Sequence, residues 1–150
     1  QAARILRILG AAGGRRALRG MGISRFEDFD AWNAARKLGQ TLDRMVAESR
    51  TFKNRRLLNQ MEDCADLAMS NVAEGFDARS DPEFVRFLKI AFRSVTEFQS
   101  HLYRAEDQRQ IDHEVYTELY DIATQTKALI GGLMRYLNSC IRQAKRRKRS

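Results

Sequence analysis

The chain has one proline, Pro82, which stands seven residues after Gly75, between two long stretches whose apolar residues keep helical spacing. Such a pattern allows two rods joined by a short break. Gly75 suits the left-handed position just past a helix end, where a Cβ is penalised. Phe76 is then placed to fold back onto the preceding turn. Ser80 or Asp81 can cap the next helix, and Pro82 suits its first turn, where no N–H partner is lost. Ser80 with Glu83 has capping-box spacing. The expectation is a helical hairpin around which the remaining helices must pack.

Two further helices are predicted. The first runs from about Asp30 to Glu48, with Asp28 or Asp30 near its cap. Trp32, Ala35, Leu38, Leu42, Met45 and Val46 form its buried stripe. The second, one arm of the hairpin, ends near Glu74, and small residues such as Ala65, Ala68 and Ala73 allow a close neighbour. The third spans about Asp81 to Glu106. The fourth runs from about His113 to Arg142 or beyond, with Asp112 as cap. Gly131-Gly132 interrupts its period at about 1 kcal/mol per glycine; close packing, a kink or a tolerated weak point all account for the pair. The fold class is all-α.

The length of 150 residues suits one domain, and no apolar run approaches the ~18 residues of a membrane span. Cys64 and Cys140 make no disulfide framework, which points to a reduced, cytoplasmic setting. The net charge is +8, with five arginines and no acid in residues 1–24 and six cations and no acid in residues 142–150. Residues 25–141 are therefore left at −3. Three parts follow: a basic extension (1–24), a helical bundle (25–141) and a basic tail (142–150). The first part, which begins at Gln1 and contains Met21, reads as an expression-derived or upstream-translated extension, a basic arm or a targeting segment.

Ser70-Asn71-Val72-Ala73-Glu74-Gly75-Phe76, then Ser80, Glu83-Phe84 and Arg86-Phe87-Leu88, resembles the signature of proteins encoded in 23S ribosomal RNA intervening sequences. Phe26-Glu27-Asp28-Phe29, Trp32 with Ala35, and Ser94-x-x-Glu97 resemble the same family's pattern. The likeness covers roughly residues 26 to 137. It implies an antiparallel up-down-up-down four-helix bundle that assembles into a homo-oligomeric ring, usually a pentamer, with a link to RNA. A related bundle is the accessory protein of diversity-generating retroelements, which binds a reverse transcriptase and nucleic acid. The resemblance implies no catalytic site.

With alternating helix direction, the basic tail emerges beside Arg79 and the 70–83 turn. Arg86, Lys89 and Arg93 add a stripe on the third helix. Together with Arg142, Lys145, Arg146, Arg147, Lys148 and Arg149 they form an expected cationic pole suited to phosphate, RNA or DNA. The alternative for the stripe is a solvated face, with Glu83 pairing Arg86 and Glu97 pairing Arg93. The tail, by self-repulsion, is expected to be disordered without a polyanion. The tyrosines are not interleaved with it, so no stacking platform is signalled. Ile90 and Phe92 lie off the main stripe, as a subunit contact or as scattered surface residues. Asn71 reads as a locally bonded polar group or a contact to a subunit or ligand. Glu74 and Glu97 read as capping or interhelical groups. His101 and His113 lack the spacing of di-iron bundles, no Cys or His pair has zinc spacing, and no phosphate-binding glycine loop or nucleophile elbow occurs. The expected function is non-enzymatic and cofactor-free: a nucleic-acid-associated oligomer, an accessory to an RNA element or reverse transcriptase. A protein-interaction scaffold without a nucleic-acid role is the alternative.

Overall fold

The computed structural model describes residues 18–149, and every regular element among them is helical. A 3₁₀ turn, Phe26–Asp28, leads into α1 (Asp30–Glu48), α2 (Arg55–Asp77), α3 (Asp81–Asp107) and α4 (His113–Arg147). Each helix packs on its chain neighbour, and α4 returns to pack on α1. The Arg44 guanidinium near the end of α1 donates to Glu118 near the start of α4 at 3.2 Å, so these two helices run antiparallel. The architecture is an antiparallel four-helix bundle, as the family resemblance implies, with the remaining helices packed around the expected hairpin.

Local chemistry sets the helix ends. Asn54, Ser80 and Asp112 accept from the backbone N–H groups of Leu57 (3.1 Å), Glu83 (3.3 Å) and Val115 (2.9 Å). The Glu83 carboxylate does not return to the Ser80 N–H; it accepts from Arg79 at 2.8 Å, one residue earlier. Asp28 does not cap α1. It closes the preceding turn by accepting from the Ser24 and Arg25 N–H groups (2.9 and 3.2 Å), and these bonds hold its carboxyl below the usual range. Phe29 occupies the N-cap of α1 without a side-chain bond.

Gly75 departs from its expected role. It lies inside α2, which continues to Asp77, and Gly22 is the only described glycine with a positive φ. A Cβ at Gly75 would stand 2.5 Å from Phe84 Cδ2 and 3.1 Å from Phe87 Cβ. The glycine therefore answers to close approach between α2 and α3, not to a left-handed cap. The chain leaves the helix at Ala78, in extended geometry. Phe76 packs edge-on against Phe29 at 5.5 Å, which in turn meets Phe84 at 5.9 Å. Those rings join the start of α1, the end of α2 and the start of α3.

The core behind this junction is continuous. Leu38, Met61, Val72, Leu88, Phe98, Leu119 and Ile130 are fully buried. Each such side chain contributes roughly 1.5–3 kcal/mol relative to exposure. α4 passes Gly131-Gly132 without a break; Gly131 is buried, with its Cβ position 3.6 Å from the Phe92 ring. Leu18 is buried and Ile23 partly so, both packed on the bundle. Among the described residues no helix is long and apolar enough to cross a membrane.

The basic tail also departs from expectation. It is helical through Arg147, as the direct continuation of α4. Extending a nucleated helix avoids the costly first turn, Lys and Arg are good helix formers, and cations at a C-terminus complement the helix dipole. These terms outweigh the mutual repulsion of exposed charges screened by water.

Gly75→Ala gains about 1 kcal/mol of helix propensity but must displace the Phe84 ring, which costs about 1–3 kcal/mol. A net loss is expected as a lower urea midpoint. Gly132→Ala, whose Cβ would meet only Arg135 at 3.8 Å, should raise the midpoint instead.

Candidate nucleic-acid interface

α4 has 35 residues and α3 has 27, so α4 is longer by roughly 12 Å at 1.5 Å per residue. Tyr136 on α4 feels the charge of Asp81 at the start of α3, which brings the late turns of α4 to the pole of the α2–α3 turn. The final turns hold Arg142, Lys145, Arg146 and Arg147, followed by Lys148 and Arg149, all exposed. Arg142, Lys145 and Arg146, at i, i+3 and i+4, share one face. Helical geometry thus turns a basic run into an oriented surface.

Arg86, Lys89 and Arg93 are exposed on α3. The alternative pairing with Glu83 and Glu97 is not formed among the described residues. Glu83 is engaged by the Arg79 N–H, and Glu97 faces His101 at 3.5 Å. Among the described residues no carboxylate lies within 4.0 Å of the Arg86 or Arg93 guanidinium; Arg86 instead lies over the Phe87 ring at 5.9 Å. Arg79 is exposed but sits between Asp77 and Asp81, so the turn itself carries mixed charge. The positive character of this pole comes from α4 and the α3 stripe. Arg4, Arg7, Arg15 and Arg16 lie outside the described residues.

The other singled-out residues divide. Asn71 is buried, and its amide donates to the Leu67 carbonyl at 2.8 Å, a bond within its own helix. Glu74 is exposed on α2. Phe92 is half-buried, with its ring near Gly131 and under the Lys127 ammonium at 4.9 Å, on the side of α3 that meets α4. Ile90 does point outward, at 41% exposure, as do Leu67 and Leu129.

Two clusters escaped the sequence. Tyr103, Tyr116 and Tyr120 meet edge-on or tilted at 5.3–5.9 Å, with His113 stacked on Tyr116. Cys64 on α2 meets Glu97 and His101 on α3. Burial first, then Glu97, pushes the Cys64 thiol up to about 12. The i, i+4 spacings of Tyr116 with Tyr120 and of Glu97 with His101 were the available signals; the partner on the neighbouring helix had none.

Fold and charge together define a small helical bundle whose longest helix ends in a run of exposed cations. The family model for the 23S rRNA-intervening sequence protein matches residues 27–132, and the chain belongs to that family. The match includes Arg79, Arg86, Lys89 and Arg93 and stops short of the cationic end of α4. No curated protein matches the chain.

Tyr136 supplies a pH test of the pole. Burial first, then its hydrogen bond with Cys140, raises its pKa above the usual tyrosine value. The native state therefore holds this proton where the unfolded state releases it. Stability should be independent of this group below pH ~10 and fall as pH rises above it. Urea midpoints between pH 9 and 11.5 should fall less steeply for Tyr136→Phe than for the native chain.

Proposed function

We propose that this protein is a non-enzymatic, RNA-associated oligomer that holds nucleic-acid phosphates on the cationic end of α4. The observation that carries the reading is the exposed, acid-free run Arg142, Lys145, Arg146, Arg147, Lys148 and Arg149 on a helix longer than its neighbours. Arg86, Lys89 and Arg93 extend the contact along α3. An exposed cationic surface binds polyanions by releasing their condensed counterions. These contacts position a strand and read no base. The family's name ties its members to 23S rRNA intervening sequences, which favours RNA over DNA as the polyanion. In this reading the chain forms a homo-oligomer, a pentamer by the resemblance, through outward apolar residues including Ile90 and Leu67. Copies around a common axis would repeat the cationic end and multiply a weak contact. An accessory role beside an RNA element or a reverse transcriptase of the retroelement type is the finer form of the proposal.

The test is RNA binding across a salt series, with solution mass measured in parallel. If six cations meet phosphates of one strand, log affinity should fall against log salt with a slope of roughly −4. Removing the chain after Ile141 should take away that share of the slope and leave at most the contribution of the α3 stripe. Substituting Arg86, Lys89 and Arg93 with glutamine should make the slope shallower by about 2. Equal binding by the truncated chain, or none by the full chain at low salt, leaves a protein-interaction scaffold.

A further inference from the structure

α2 and α3 pack closely along their length, and Cys64, Glu97 and His101 come together between them. The cysteine sulfur, a carboxylate oxygen and an imidazole nitrogen all lie within 4.8 Å of one another. Glu97 and His101 are one helical turn apart, so they present to the same side of α3. Cys64 belongs to the buried face of α2 and is a free thiol. His101 Nε2 is shut off from solvent and has no hydrogen-bond partner among the described residues. Glu97 Oε1 stands 3.5 Å from that nitrogen without forming a hydrogen bond. Buried polar atoms are nearly always satisfied, so a lone one between two other donor atoms asks for an occupant.

We propose that Cys64, Glu97 and His101 bind a divalent transition-metal ion of the zinc type, with water completing a tetrahedron. One sulfur, one imidazole nitrogen and one carboxylate oxygen match the mixed ligands of zinc; calcium and magnesium require oxygen ligands. Metal–ligand bonds of about 2.0–2.3 Å place neighbouring ligands about 3.3–3.8 Å apart on a tetrahedron. The imidazole and carboxylate already stand at 3.5 Å. The remaining separations are no more than 4.8 Å, and Glu97, whose side chain is 63% exposed, can rotate to adjust its oxygen without disturbing the core. That exposure also leaves an approach from solvent. On binding, the metal–sulfur bond replaces the thiol S–H bond and the proton leaves to water. A thiolate and a carboxylate together neutralise the double charge, which suits a half-buried position. The ion would clip α2 to α3 well away from the cationic end of α4. The site does not depend on the proposed nucleic-acid role.

Cobalt(II) titration of the full chain tests this. A single thiolate-to-cobalt charge-transfer band with four-coordinate visible bands is expected, displaced by zinc(II). The band should vanish in Cys64→Ser and persist in Cys140→Ser. Glu97→Gln alters an exposed side chain, should leave helical circular dichroism unchanged, and should weaken cobalt affinity by at least about tenfold, the size of effect typical for groups at a metal site. Zinc should raise the melting temperature of the native chain and not that of Glu97→Gln, because only binding to the folded state shifts it. No charge-transfer band, a band surviving Cys64→Ser, or unchanged affinity in a folded Glu97→Gln variant would each overturn the proposal.

Discussion

The structure depends on how closely α2 and α3 approach at their shared turn. Phe84 can lie against α2 only because position 75 has no side chain. Phe84 then meets Phe29, and Phe29 meets Phe76, so one contact orients the start of α1 and the end of α2 as well. Close packing in protein interiors leaves little slack for such a junction. Further along the pair, fully buried Ala68 and Ala91 and nearly buried Ala65 keep side-chain bulk low. The same closeness brings Cys64 within reach of Glu97 and His101.

Charge is distributed by helix length more than by composition. The helical core region is mildly acidic, while its longest helix carries a row of cations beyond the end of its packed face. Helical order fixes which of these cations point together, and a disordered segment of the same composition would not. On α3, neither nearby carboxylate pairs with the stripe: Glu83 accepts from a backbone N–H, and Glu97 stands 3.5 Å from His101. Local hydrogen bonding at a helix start therefore changes the electrostatics of a neighbouring surface.

The helices, their caps and most of their stripes were legible because they rest on near-neighbour rules. Ser80 and Asp112 cap the helices they precede, and α1 spans the predicted residues. Gly75 was misread because a glycine near a helix end signals a left-handed cap and a close contact equally well. The spacing of Phe92 places it off the main stripe, and only the packed structure shows that Lys127 and Gly131 of α4 reach its ring. The tail was misread because charge repulsion was weighed without the helix that precedes it.

Periodicity, capping and charge counting belong to the chain before it folds, and they determined four helices, the turn between the second and third, and a cationic end. What required the folded molecule was every meeting between helices: Gly75 with Phe84, Phe92 with Lys127, and Cys64 with Glu97 and His101. Those contacts depend on the rotation and offset of one rod against another. No residue's near neighbours encode these quantities; they emerge only when all four apolar faces are buried at once.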